Sequence, residues 1–397
     1  MRGGRRRIAL VSAIVVAVLG LAVLGLAVLG LRSQTNVRDS GRSPAQLTAH
    51  SAKTRHFEYV ISAGGIYVYS IDHSNRLVQT ISVPEIGSSI HGVVASPRTA
   101  MLYIAYGRQA PPGGTLLAYS LLRGRVLWHR TYSFGIDSMA ISPDGRWVYM
   151  PAGEGTTDGR WRIIAASNGR PTGKSIKGPI GAHNTIMGPG GKYLYMGGVD
   201  YPYLEVANIA TNRVIRRLGP LNGPGVRPFT INGSETLAFT TARTFLGFQV
   251  SSIKTGNVLY TVPVPGFSFD PSTFRRTPDH GISLDPNERR LYLIDTPNGY
   301  VHVFDITGLP GSPPRLVSSI KLVHAPPNDG WLQISRNGRY LYVGRSGDVI
   351  DTRTGKIVAF RPPLKATADF LEIDWRRGKP VDTTSRYGIG YAHRSPG

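Results

Sequence analysis

From residue 57 onward, apolar and polar positions alternate with a period of two in short runs separated by turn residues, which predicts β-strands joined by tight hairpins. One unit recurs along the chain: a short apolar strand, a Ser-Pro-Asp-Gly-like turn, and a second apolar strand that ends in an aromatic residue. It reads HGVVASPRTAMLYIAYG from His91, DSMAISPDGRWVYMPAG from Asp137, HNTIMGPGGKYLYMGG from His183, HGISLDPNERRLYLID from His280 and GWLQISRNGRYLYVG from Gly330. A degenerate copy, RPFTINGSETLAFTTA, starts at Arg227, and a seventh, DFLEIDWRRGKPV, starts at Asp369 without the aromatic ending.

When Ser96, Ser142, Gly188, Asn232, Asp285 and Ser335 are aligned, the residue seven places later is Tyr103, Tyr149, Tyr195, Phe239, Tyr292 and Tyr342. Each hairpin is followed by two further strands, as in VIDTRTGKIVAF, VSSIKTGNVLYT and VANIATNRVIRR. Four strands recurring every 39 to 53 residues predict the blades of a β-propeller rather than a helical solenoid. The stretch from Glu58 to Val83 supplies three strands and lacks a first one. Phe370 to Trp375 is a lone strand, and pairing the two closes the ring without an exposed sheet edge, giving seven blades. The expected fold is therefore an all-β, seven-bladed β-propeller.

The stretches SPDGRWVYM and VIDTRTGKIV resemble the YVTN-type repeats of bacterial surface propellers similar to the YncE family, a group related to lactonase-like propellers. The resemblance covers nearly all of residues 57–385. It implies a propeller architecture, and it leaves the activity open because related propellers serve as scaffolds, binding proteins, lactonases, lyases and oxidoreductases.

Ahead of the repeats, Ile8 to Leu31 is an uncharged run of 24 residues. At about 1.5 Å per residue it is long enough for a hydrocarbon core of about 30 Å. Arg2, Arg5, Arg6 and Arg7 precede it, so the positive-inside tendency keeps residues 1–7 in the cytoplasm as a basic tail and puts everything after the run outside. No convincing small-x-small cleavage site follows, which favours an uncleaved signal anchor over a signal peptide. Residues 32–55 read as a flexible linker and 56–397 as the propeller. The expectation is a monomer in the cell membrane, single-pass, with its C-terminal domain extracytoplasmic.

The absence of cysteine among 397 residues excludes disulfides, thiolate metal sites and a cysteine nucleophile. The formal net charge of +22 less the four N-terminal arginines leaves +18, so the folded part is itself basic and suits anionic surroundings. The basic residues are scattered without a dense run, which argues against nucleic acid. No Gly-rich phosphate loop between strand and helix and no G-x-S-x-G elbow is present, so nucleotide binding and serine hydrolysis have no support.

Chemistry is expected at the channel mouth. Five residues before the aligned turn position, the seven blades carry His91, Asp137, His183, Arg227, His280, Gly330 and Asp369. Pseudo-symmetry places these at one height around the axis. Imidazole and carboxylate are ligands for a divalent metal, so His91, His183 and His280 are the candidate metal ligands, with Asp137, Arg227 and Asp369 as candidate catalytic residues. Arg227 suits an anionic group bidentately. Loops between second and third strands share this face and contribute Arg108, Glu154, Asp200, Arg243, Asp295 and Arg345. Asp279 and Asp329, beside His280 and Gly330, are placed to orient a ligand residue. His129 and His324 fall outside the register.

Two functions follow. The first is a binding or scaffold domain that takes a polar or anionic ligand, a polymer or a protein on its loop face. The alternative is a metal-assisted hydrolase or lyase of the lactonase-like type, using one divalent metal ion.

Overall fold

The computed structural model describes residues 41–384. Among them, 29 strands form seven antiparallel sheets arranged as blades. Six blades are contiguous in the chain and four-stranded: blade 2 (90–131), blade 3 (140–177), blade 4 (182–218), blade 5 (229–263), blade 6 (282–321) and blade 7 (331–360). The apolar run at 8–31 lies outside the described residues. No helix among the described residues is long and apolar enough to cross a membrane.

The repeat's turn explains how each hairpin forms. Ser142 Oγ accepts from the amides of Arg146 (3.2 Å) and Trp147 (3.0 Å), and Asp144 Oδ1 accepts from Arg146 at 3.0 Å. Side-chain acceptors thus satisfy amides that the tight turn leaves unpaired. Gly145 closes the turn at φ +71°, and a Cβ there would lie 2.4 Å from Ser96 Oγ in the neighbouring blade. Two blades put glutamate in this left-handed position: Glu235 at φ 54° and Glu288 at φ 55°. Each reaches back to the preceding blade's turn, Glu235 accepting from the Gly190 amide and Glu288 from the Gly233 amide, both at 2.6 Å. These charge-assisted bonds between blades offset the strain.

The aligned aromatic residue stands third in each second strand, not at its end, and belongs to the inter-blade core. All six aligned rings are buried, with at most 4% exposed. The Tyr103 hydroxyl donates to the Ala166 carbonyl of the next blade at 3.1 Å, Tyr195 to Glu235 at 2.9 Å, and Tyr342 to Asn75. Each ring fills the gap between two sheets, and where its hydroxyl is buried it finds a partner across that gap.

Blade 1 closes the ring as the sequence predicts. The strands Arg55–Ser62, Gly65–Ser70 and Arg76–Ser82 are completed by Phe370–Arg376, with Phe57 opposite Ile373, Glu58 opposite Glu372 and Val60 opposite Phe370. A fifth strand, Lys379–Thr383, was not expected. It pairs with Phe370–Arg376 on the side away from Arg55–Ser62, which is the channel side. Thr384 continues the pairing through Glu372 and bonds Gln333 of blade 7.

One boundary differs from the sequence reading. Residues 43–54, assigned to a flexible linker, are docked on blade 1. Pro44–Thr48 is a helical turn with a capping box between Ser43 and Gln46, and Thr48 is buried. The Gly378 amide donates to Thr48 and the Arg377 amide to Ser51 O. The cue was the Ser-Pro-x-Gln sequence, a helix-start signature in an otherwise polar stretch.

A polar network seals the seam between blades 7 and 1. His56 Nδ1 lies 2.7 Å from Asp374 Oδ1 and 3.0 Å from Glu372 Oε1. Arg336 Nε reaches Asp374 Oδ2 at 3.0 Å, its guanidinium pairs with Asp382 at 2.5 Å, and its amide donates to Glu372 Oε2 at 2.7 Å. His56, Glu372 and Asp374 are close enough to ligate a metal, but Arg336 already balances Asp374 and the imidazole already serves both carboxylates. The hydrogen bonds to Asp374 and Glu372 outweigh burial and raise the His56 pKa to about 10. Burial, helped by repulsion from Asp374, raises Glu372 to about 8 against the pull of His56 and the Arg336 amide. Burial, and then Glu372, pushes Glu58 well up as well.

Both His56 and Glu372 hold their protons more tightly in the folded than in the unfolded chain. The stability they contribute is therefore complete below their ordinary values of 6.5 and 4.5, and is lost as pH rises through about 10 and about 8 respectively. Glu372→Gln should remove the lower of these steps, so its melting temperature should decline less than the wild type's between about pH 5 and pH 8. Parallel melting curves for the two proteins across that window would show that Glu372 is not the titrating group. A chain ended after Ala368 loses both C-terminal strands and bares the edge of Arg55–Ser62. Size-exclusion chromatography and thermal melting should then show aggregation or loss of the cooperative transition.

Candidate ligand site at the channel mouth

The seven register positions open the innermost strands at one end of the ring. His91 and His183 are the second residues of Ile90–Ser96 and Ala182–Met187, and Arg227, His280, Gly330 and Asp369 stand one or two residues ahead of Phe229–Ile231, Ile282–Leu284, Trp331–Ile334 and Phe370–Arg376. Asp137 precedes the short strand Ala140–Ile141. Glycines following His91 and His280 let these entries crowd together. A Cβ at Gly92 would lie 3.0 Å from the Asp137 carbonyl, and one at Gly281 would lie 3.1 Å from Leu332 N. The neighbouring backbones thus approach closely where the side chains leave the sheet.

Asp137 is the most heavily bonded group of the mouth. Its Oδ2 lies 2.9 Å from His183 Nδ1 and accepts from Gln109 Nε2 at 2.6 Å, and its Oδ1 accepts from the Ser138 amide at 2.8 Å. Burial alone would raise this carboxyl. The charge and hydrogen bond of His183, the charge of His91 and the Ser138 amide together hold it below the ordinary range, so it is a carboxylate. At 2.9 Å from a carboxylate oxygen, His183 Nδ1 presents N–H to Asp137, an ion-pair contact that falls outside hydrogen-bond geometry.

His280 is held in the same sense by a different acceptor. Its Nδ1 lies 3.2 Å from the Gly330 carbonyl, and its ring packs edge-on against Trp331 with centroids 5.3 Å apart. Burial, reinforced by Arg227 and His183 and opposed by Asp329, depresses its pKa to about 3, so the ring is neutral. The His183 and His280 rings have centroids 6.0 Å apart. Both residues are 5% exposed, and neither Nε2 has a hydrogen-bond partner.

Arg227 ties the mouth across the axis. One guanidinium nitrogen lies 2.6 Å from Glu154 Oε2 on a blade 3 loop and another 3.2 Å from Asp329 Oδ2 at the entry to blade 7. Asp329 also takes Arg276 at 2.9 Å. Burial pushes Asp329 up, and His280, Arg227 and Arg276 together bring it below the usual carboxylate range. Arg227 Nε and Asp329 Oδ1 stay without hydrogen-bond partners. The mouth therefore holds more unpaired acceptors than donors.

The structure brings Asp137, His183, Arg227 and His280 together and gives two other predicted residues different partners. His91 turns to its own blade, its Nε2 3.0 Å from the Gly107 carbonyl, so the three histidines do not form one ligand set. Asp369 is buried at the head of its strand, where its amide donates to Thr367 and its carbonyl accepts from Ile61. Of the loop residues, Glu154 reaches the mouth, whereas Arg108 and Asp200 are exposed. Asp295 turns into blade 6, where His302 Nε2 lies 3.0 Å from it and His302 Nδ1 lies 2.9 Å from Ser319 Oγ. Asp279 accepts from the Gly247 amide at 2.8 Å and is pushed well up by burial. Gln109 and Arg276 went unread because neither occupies a repeated position.

No protein-family model matches the sequence, and no curated protein matches it. Solved structures do match in fold. A functionally unknown protein from Desulfotomaculum acetoxidans is similar with a TM-score of 0.60 at 13% identity, over 79% of this chain and 98% of that one. Hydrazine synthase of Kuenenia stuttgartiensis matches with a TM-score of 0.51 at 13% identity, over 75% and 86% of the two chains. A chain of a mitotic checkpoint complex matches with a TM-score of 0.56 at 12% identity, over 72% and 80%. At such identities the likeness concerns the fold alone, and with the seven sheets it supports an all-β seven-bladed propeller.

Proposed function

We propose that the protein is a binding propeller whose channel mouth takes a small polar ligand. The observation that carries this reading is the set of unpaired, buried polar atoms that converge there from different blades: His183 Nε2, His280 Nε2, Arg227 Nε and Asp329 Oδ1. Leaving such atoms unpaired costs free energy, and a bound group that pairs with them recovers it. Acceptors outnumber donors, so the ligand presents N–H or O–H groups or a positive charge to the two imidazoles. A polymer or protein that projects such a group into the mouth satisfies the same chemistry.

We place this domain outside the cytoplasmic membrane, anchored by residues 8–31, in line with the resemblance of its repeats to YVTN-type, YncE-like surface propellers. The reading is supported by the arginines ahead of the apolar run and the length of that run. The hydrolase or lyase alternative draws on the Asp137–His183 pair, a carboxylate and an imidazole in contact as in general acid–base catalysis.

Anchorage predicts that a C-terminal tag is digested by protease added to intact spheroplasts while the protein stays in the membrane fraction. A shortened, soluble chain in the medium would mean that the run is a cleaved signal. For the mouth, Arg227→Met should destabilise the domain by about 3 kcal/mol in denaturant titration, because Glu154 and Asp329 lose their shared cation. Adding Glu154→Gln and Asp329→Asn should recover most of that loss. A panel of polyamines, amino acids and sugars screened by thermal shift should contain at least one compound that stabilises the wild type and not the triple variant. Equal shifts for both proteins across the panel would place any binding elsewhere.

A further inference from the structure

We infer that His183 and His280 together form a site for one divalent transition-metal ion of the zinc, cobalt, nickel or copper type at the channel mouth, their rings oriented by Asp137 and the Gly330 carbonyl. This deepens the binding reading above and rests on it.

The first ground is tautomeric. Each imidazole has its Nδ1 beside an acceptor, Asp137 Oδ2 at 2.9 Å for His183 and Gly330 O at 3.2 Å for His280. With each Nδ1 beside an acceptor, Nε2 is the nitrogen left to meet an ion, which displaces any proton it carries. Metal-ligating histidines are set up in this way, with a carboxylate or a backbone carbonyl holding the far nitrogen. In a purely structural histidine both nitrogens are spent on partners, as His302 shows: its Nδ1 meets Ser319 and its Nε2 meets Asp295.

The second ground is that both Nε2 atoms are buried and unused. Neither Nε2 has a hydrogen-bond partner, and both residues are 95% buried. Two buried, unpartnered nitrogens on adjoining rings are satisfied by a cation or a donor that reaches both. The third ground is spacing. With metal–nitrogen bonds of about 2.1 Å, each ring centroid stands about 3.2 Å from a shared ion, so two such rings lie at most about 6.4 Å apart. The observed separation is 6.0 Å.

Charge agrees with a dication. Asp137, Glu154 and Asp329 face Arg227 and Arg276, leaving carboxylate in excess of guanidinium around the pair. Borderline nitrogen ligands select zinc, cobalt, nickel or copper over magnesium or calcium. His91 has no part in the site because its Nε2 is engaged by the Gly107 carbonyl. Among the described residues no third ligand joins the two imidazoles within ligating range. The remaining coordination positions thus stay open to water or to an anionic group of a ligand, which is how an acceptor-rich mouth accommodates a carboxylate or phosphate.

The test uses the full-length chain purified in detergent without a histidine tag. Titrated with Co2+, the wild type should bind one equivalent with visible d–d absorption. His183→Gln and His280→Gln should each lose the spectrum. Asp137→Asn should weaken binding about 10- to 100-fold while keeping the same bands. His129→Ala, on an outer strand, should bind as the wild type does. Should the glutamine variants fail to fold, Cu2+ bound to the wild type must show nitrogen superhyperfine splitting from two imidazoles, and its absence overturns the inference. Binding of Co2+ by folded His280→Gln with wild-type affinity, or no binding by the wild type, also overturns it. If the wild type binds no metal yet is still stabilised by a member of the organic panel, the metal site falls and the binding mouth stands.

Discussion

Every blade of this molecule leans on its neighbours, and the ring exists only because the first and last segments of the domain share a sheet. Phe370–Arg376 pairs with Arg55–Ser62 and supplies the innermost strand that the N-terminal segment lacks. Without that pairing, six blades would end in an unpaired edge on one side and bare apolar side chains on the other. The seam carries a second layer of restraint in the strand Lys379–Thr383 on the channel side and in the helical turn Pro44–Thr48 against the blade's lower end. Non-local closure of this kind brings residues more than 300 positions apart into register, as with Glu58 and Glu372. The entry positions of the other blades are fixed in space only after that closure, so the mouth depends on the seam.

Seam and mouth are both clusters of buried charge, and they treat their polar atoms differently. At the seam, His56, Asp374, Arg336 and Asp382 satisfy one another by direct contacts of 2.5 to 3.0 Å. At the mouth, Asp137 is saturated while the far nitrogens of His183 and His280 have nothing to bond. A network that is fully paired rigidifies a fold, whereas one with members left open lowers its stability. The four seam residues therefore read as structure, although Glu58 Oε2 beside them has no hydrogen-bond partner. The mouth reads as a site whose last partners come from outside the chain.

Much of this was legible in the sequence because the fold is a repeat. The alignment of Ser142 with Ser96 and Ser335, and of Tyr149 with Tyr103 and Tyr342, places strand, turn and inter-blade ring with one rule, and the register of His183, His280, Asp137 and Arg227 follows from it. What repetition cannot encode is the direction in which a side chain leaves its strand. His91 and His183 occupy equivalent positions, yet one imidazole meets the Gly107 carbonyl and the other meets Asp137. That choice is set by neighbours outside the repeat, such as Gln109 and Glu154. The fifth strand and the docked turn escaped for a related reason. Both lie in polar stretches, Lys379–Thr383 and Pro44–Thr48, that carry no hydrophobic periodicity and take their order from the blade they cover.

Pseudo-symmetry also explains why the site is lopsided. Seven equivalent positions would give a ring of seven similar groups, but the charged pairings run through blades 3 to 7, by Asp137, His183, Arg227, His280 and Asp329, with blade 2 adding only Gln109. In blade 2 the imidazole is bound to its own loop, and in blade 1 the channel is occupied by the additional strand beside Phe370–Arg376. The covered side of the channel gives rigidity, and the uncovered side gathers the unpaired nitrogens. A propeller that closes its ring through an inner strand thus breaks its own symmetry at the axis, and the unpaired imidazole nitrogens stand on blades 4 and 6, neither of them next to the closing blade.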